Sequence, residues 1–155
     1  MDAMRHEHED DFRATADELW RAITDPERTR QYWYGASNRS TWTVGARWTS
    51  ESDDGELFLE GEILEIEAPR RLVQTFHVVH DPEAAAEPPS TLSWEITPTS
   101  DGCHLLVVHE GFGPATLEYI TGGWEQILAG LKTYLEADTP LEVGALSTRQ
   151  GSAQP

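Results

Sequence analysis

Beyond Gly113-Pro114 the sequence changes its period. Leu117, Ile120, Trp124, Ile127, Leu128, Leu131 and Leu135 recur at spacings of three and four, which places them on one face of a helix running to about Glu136. At 1.5 Å per residue such a helix is roughly 30 Å long, enough to lie across a whole sheet. Gly122-Gly123 interrupts it at a cost of about 1 kcal/mol each relative to alanine, which predicts close backbone approach or a slight bend. A one-faced helix of that length needs an apolar surface to lie on.

The preceding residues supply one. From about residue 40 the punctuation is that of antiparallel sheet, with strands expected at 40–44, 46–51, 56–67, 71–80, 91–98 and 103–112. Gly45, Asp53-Asp54-Gly55, Ala68-Pro69 and Ser100-Asp101-Gly102 are hairpin-length links, whereas Asp81 to Ser90 is longer. Leu92, Trp94 and Ile96 alternate strictly and share a buried face. In 56–67 Ile63 opposes Leu64 and Ile66, so its inward face stays open. In 103–112 Leu105, Val107 and His109 oppose Leu106 and Val108, and the first set is placed provisionally toward the helix. Upstream, residues 5–14 read as a polar edge strand. Thr15 and Glu18 have capping-box spacing, with Leu19, Trp20 and Ile23 as the buried stripe, and Asp25-Pro26 starts a second short helix reaching about Trp33.

Composition narrows the function classes. A chain of 155 residues suits one domain, placed at 1–137, followed by an aperiodic segment at 138–155 that reads as a flexible tail. In that tail Leu141, Val143 and Leu146 are the residues through which a second copy could dock, so a homodimer stays open. The net charge of −17 repels phosphate backbones and argues against nucleic acid. Cys103 is the only cysteine, which rules out an internal disulfide and fits a reducing, cytoplasmic setting. There is no secretory leader pattern and no run long enough for a membrane span.

The order of strand, two short helices, six antiparallel strands and long helix is the helix-grip pattern, and four segments carry a closer likeness: ATADELWRAITDPERTRQYW at 14–33, VGARW at 44–48, EGEILEIEAPRRLVQTF at 60–76 and GGWEQILAGLKTYLE at 122–136. Together they resemble the START-like (SRPBCC, helix-grip) superfamily, and within it the bacterial relatives of the activator of heat-shock-protein ATPase homologue family. The resemblance implies an α+β fold: a curved antiparallel sheet of about seven strands wrapped on a long C-terminal helix. It also implies a cavity between sheet and helix, in which superfamily members hold lipids, hormones, polyketides and other apolar molecules; some act as cyclases or aromatases. The family's eukaryotic members stimulate a chaperone through a longer, two-domain chain.

The residues themselves carry no catalytic signature. His77 and His80 point to opposite faces of a strand and cannot share an ion without a bulge, and His6 and His8 lie near the chain start, so no metal site is assigned. Nucleophile, phosphate-loop and dinucleotide patterns are absent, and no cofactor is implied. The candidate ligand contacts are the aromatics Trp33, Trp48, Phe76, Trp94 and Trp124, the helix residues Leu128 and Leu131, and the polar-tipped Tyr119 and His109. Tyr134 is a further polar group of this kind. Three readings follow. The first is binding of a small, mostly apolar or aromatic molecule. The second is a polyketide-cyclase-like enzyme using His109 or Tyr119. The third is a protein-interaction or chaperone-cofactor module using the sheet face of Leu106 and Val108.

Overall fold

Thr15 caps its helix as the spacing predicts. Its hydroxyl accepts the Glu18 N–H at 3.1 Å, while Glu18 Oε1 accepts the Thr15 N–H at 2.8 Å. The computed structural model describes residues 4–137, so the expectations for the C-terminal tail lie outside the described residues. Strand β1 (Met4–Phe12) leads into this helix, α1 (Ala16–Thr24), which buries Leu19, Ala22 and Ile23 and leaves Trp20 half-buried. Asp25 caps α2 (Pro26–Thr29), which is a single turn and does not reach Trp33. The backbone turns at Tyr34 (φ 52°) and Gly35 (φ 75°) instead.

The next strand, β2 (Ser37–Ser40), therefore precedes its expected place at 40–44, where Trp42 (φ 57°) and Gly45 (φ 88°) form the turn into β3 (Arg47–Glu51). Four longer elements follow: β4 (Leu57–Glu67), β5 (Arg71–Val78), β6 (Ser90–Thr99) and β7 (Gly102–Phe112). A one-turn helix, α3 (Pro82–Ala85), occupies the long link after β5. The strands form one antiparallel sheet in the order β1-β7-β6-β5-β4-β3-β2, so β1 is an edge, as its polarity predicts. Helices α1 and α2 carry the chain from that edge to the other.

Register settles both ambiguous strands. In β4 a bulge between Ile63 and Glu65 reverses the alternation, so Ile63 faces the core opposite Gln74 and Ile66 faces it opposite Leu72, while Leu64 is turned out. In β7 Leu105, Val107 and His109 are all fully buried on the inner face. Trp48 of β3 lies across Gly61 of β4 and donates its indole N–H to the Thr75 carbonyl at 2.7 Å. A Cβ at Gly61 would stand 2.0 Å from that carbonyl oxygen and 2.4 Å from the indole nitrogen, so glycine alone fits beneath the ring.

The C-terminal helix is broken, not merely bent. Helix α4 (Pro114–Ile120) ends at Thr121, which is extended, and Gly122 takes φ 79° before α5 (Gly123–Ala137) begins. The positive φ at Gly122 is left-handed backbone that a glycine adopts without strain. The apolar stripe survives the break: Ile120, Trp124, Ile127, Leu128, Leu131 and Leu135 are buried, with Leu117 half-buried. Lys132 fastens α5 to β1 through Asp10 Oδ1 at 3.1 Å and the Asp11 carbonyl at 3.0 Å. No described helix is long and apolar enough to cross a membrane.

Trp124 is the centre of the packing between helix and sheet. Its ring lies 5.5 Å from Trp33, 5.6 Å from Trp94 and 6.4 Å from Phe76, largely in the edge-to-face arrangements that ring quadrupoles favour. Replacing Trp124 with alanine is expected to cost about 3 to 5 kcal/mol in chemical denaturation. A loss under about 1 kcal/mol would contradict this packing.

Candidate ligand cavity at the helix break

Because the aromatic cluster fills the middle of the grip, the open space lies at one end, beside the break between α4 and α5. A cavity of about 380 Å³ is lined there by residues of three regions: the turn after α2, the inner face of β3 to β5, and the helix junction from Tyr119 to Ile127. That volume is in the range of small-molecule sites. Of the sequence-predicted contacts, Trp33, Phe76, Tyr119 and Trp124 line the cavity. Trp48, Trp94, His109, Leu128 and Leu131 are buried in the core and do not line it. Tyr134 is half-buried and packs against Tyr32, with ring centroids 6.3 Å apart. Sequence reasoning missed Tyr34, Ser50, Phe58 and Gln126, which do line the cavity. Trp48 and Ser50 are two apart on one strand, so the inward face of Trp48 already implied that of Ser50.

Two contacts shape the cavity mouth. Tyr34, 62% exposed, donates its hydroxyl to Gln126 Oε1 at 2.8 Å and so spans from the turn after α2 to the first turns of α5. Helix α4 is held from outside by Glu87, whose carboxylate accepts the Ala115 and Thr116 N–H groups and the Thr116 hydroxyl at 2.8 to 2.9 Å. These bonds satisfy the free amides of the helix start, a cap supplied from a distant loop. Desolvation opposes ionisation of Glu87, and the hydrogen bonds outweigh it and hold its pKa below the usual carboxylate value. Burial raises the phenol pKa of both Tyr34 and Tyr119, helped by the charges of Glu125 and Asp81 respectively, so both stay protonated donors. His80, at the mouth, pairs with Glu56 at 2.9 Å and meets Phe58 edge-on.

His109 is engaged on both nitrogens. The Trp124 indole N–H donates to Nδ1 at 3.1 Å, which leaves the ring proton on Nε2 to donate to Ser90 Oγ at 2.7 Å. Ser90 passes its own proton to the Phe76 carbonyl at 3.0 Å. Burial, with smaller contributions from His6 and His8, lowers the His109 pKa to about 3, so the ring is neutral and has no free atom for a ligand or a proton-transfer step. His77 is likewise occupied, by the Ala85 carbonyl at 2.9 Å. Among the described residues no group of three or more His, Cys, Asp or Glu could hold a metal ion. On the outer sheet face Val108 is buried and Leu106 half-buried, so these two residues do not form an exposed apolar patch.

With the geometry in place, comparison with known proteins fixes the lineage. The family described as activator of Hsp90 ATPase homolog 1-like protein matches residues 13–136. The chain belongs to this family. Among solved structures, MLL2253 of Mesorhizobium loti is 26% identical with a TM-score of 0.74, over 88% of this chain and 99% of that one. CalU16 of Micromonospora echinospora is 23% identical with a TM-score of 0.63, over 86% of this chain and 74% of that one. DynU16, a protein in the dynemicin biosynthetic locus, is 23% identical with a TM-score of 0.66; the match covers 90% of this chain and 49% of DynU16. A comparison with curated proteins finds no match. This activator-homologue chain thus has the START-like helix-grip fold, a ligand-binding fold, with its C-terminal helix divided.

The His109 network carries a pH signature. Its folded value near 3 lies below the ordinary 6.5, so between those values the unfolded chain takes up a proton that the native state refuses. Stability is therefore full above about pH 6.5 and falls on acidification toward pH 3, by at most about 1.4 kcal/mol per pH unit from this group. His8, lowered chiefly by burial, adds in the same sense. The value of His104 is raised, mainly by its hydrogen bond to Asp11, so its contribution is constant below 6.5 and is lost only as pH rises through its folded value. His109→Gln should be less stable than the parent at pH 7, and urea titrations should show that deficit shrinking between pH 6.5 and 4. A deficit independent of pH would contradict the neutral buried ring.

Proposed function

We propose that this protein binds a small, mostly apolar or aromatic molecule in the cavity beside the α4–α5 break. The observation that carries the reading is the cavity itself: about 380 Å³, walled by Trp33, Phe58, Phe76 and Trp124, and spanned at its mouth by Tyr34 bonded to Gln126. Binding is favoured over cyclase-like turnover because His109, the strongest candidate base, is saturated by Trp124 and Ser90 and does not line the cavity. The place of DynU16 in the dynemicin biosynthetic locus is consistent with a small-molecule role in fold relatives. A carrier, sensor or sequestering protein is the form this function takes, acting as a single domain over residues 1–137.

Helix positions on the flank of the stripe do not control the cavity. Ala129 is exposed, and a Cβ on Gly130 would meet Tyr32 at 3.2 Å, away from the space. Gly123 does control it: a Cβ there has ordinary clearance, 3.7 Å from the Tyr34 hydroxyl, and the residue lines the cavity. An environment-sensitive apolar dye should bind the parent saturably at one site. Gly123→Leu should weaken that binding at least tenfold with little change in Tm. Unsaturable binding, or equal affinity in the variant, would count against this cavity as the site.

A further inference from the structure

Among the described residues three buried side-chain polar atoms have no hydrogen-bond partner: His8 Nε2, Asn38 Oδ1 and Ser50 Oγ. Two of them belong to one cross-strand pair, since Asn38 of β2 stands directly opposite Ser50 of β3. Ser50 is 0% and Asn38 4% exposed. On its other side Ser50 pairs with Leu59, a buried residue of the inner face that lines the cavity with it. Residues opposite one another on neighbouring strands project to the same face, so Asn38, Ser50 and Leu59 form one row facing inward. Burying a hydroxyl or amide oxygen without a partner costs free energy, and placing two side by side is not what core packing selects.

We infer that Ser50 in the cavity wall, with Asn38 opposite it on β2, is a polar anchor that selects neutral ligands bearing a hydroxyl group on an aromatic or alicyclic frame. This rests on the binding reading and names the ligand class for that site. A ligand hydroxyl is a small neutral group that can serve both atoms. It donates to the Asn38 oxygen, which can only accept, and accepts from the Ser50 hydroxyl, which can donate. A carboxylate or phosphate does not suit the row: no Lys or Arg lines the cavity, and an anion taken from water needs a paired charge. A plain hydrocarbon fits the aromatic walls but leaves the row unsatisfied.

The test uses the full chain and three bicyclic probes, naphthalene, 2-naphthol and 2-naphthoate, in equilibrium dialysis at pH 7. The parent should bind 2-naphthol at least tenfold more tightly than naphthalene, and 2-naphthoate more weakly than either. In Ser50→Ala the preference for naphthol should collapse to within about threefold, while naphthalene is held as in the parent, which shows that the variant keeps its cavity. Because the hydroxyl serves no partner in the fold, Ser50→Ala should have a Tm at least as high as the parent. If the parent binds naphthalene and 2-naphthol equally, the anchor is wrong and the cavity stands. If the preference persists in Ser50→Ala, or if that variant melts markedly lower, the assignment to Ser50 is overturned. Failure of both neutral probes to bind the parent would overturn the cavity reading and the anchor together.

Discussion

The hydrogen bond from the Trp124 indole to His109 Nδ1 holds the helix and the sheet in one arrangement. It requires a neutral imidazole with its proton on the far nitrogen, and the fold enforces that state through Ser90, which accepts that proton, and the Phe76 carbonyl, which accepts the Ser90 hydroxyl proton in turn. Three strands and the helix are thereby fixed to each other by directional bonds inside an apolar cluster, where each bond is electrostatically stronger than in water and each unmade one is costly. Trp94 is fixed in the same way by Gln74 Oε1 at 2.8 Å. Rings held by their polar atoms cannot slide, so the aromatic cluster defines a solid middle.

That solid middle explains the position of the cavity. A sheet curved over one straight helix leaves its largest gap along the helix, and here Trp33, Trp94, Trp124 and Phe76 occupy it. Space is recovered where the helix is interrupted. Gly122 redirects the backbone, Glu87 of the loop after α3 holds the start of α4, and the residues from Tyr119 to Gly123 become a wall instead of a continuation of the stripe. The broken helix separates two tasks: α5 anchors the fold, while α4 shapes the opening.

Much of the fold was legible in the sequence because its signals are local and periodic. The capping box at Thr15, the alternation of Leu92, Trp94 and Ile96, and the spacing from Ile120 to Leu135 each depend on residues within a few positions of one another. What escaped depends on backbone geometry or on the partner strand. The two faces of β4 look contradictory until a bulge after Ile63 turns the strand over, and nothing within that strand announces a bulge. The early position of β2 follows from a positive φ at Trp42, a residue type that seldom adopts one. Gly122 announced itself, but composition alone could not separate a bend from a break. At the site, aromatics were legible as inward residues but not as cavity or core, since both fill apolar space. Ser50 read as an ordinary strand polar and Asn38 lay outside every expected element, and only the cross-strand register places them together.

The charge of the chain bears on the same site from outside. Several of its carboxylates lie on outward positions of the strands, where Glu60 meets Arg47, Glu65 and Glu95 flank Arg71, and Glu110 reaches Arg5. Such exposed pairs contribute little to stability each, and 28 acidic residues against 11 basic ones leave a large excess of negative charge. The pleat keeps this charge apart from the cavity, whose lining holds no Asp, Glu, Lys or Arg. A molecule approaching the mouth therefore meets a negative field first and an uncharged, aromatic interior second. An anion is opposed at both stages, by repulsion and then by desolvation without a counter-charge. A cation is drawn toward the surface and finds aromatic faces but no counter-charge within. A neutral molecule passes from one environment to the other without an electrostatic penalty, so against anions surface and cavity discriminate in the same direction.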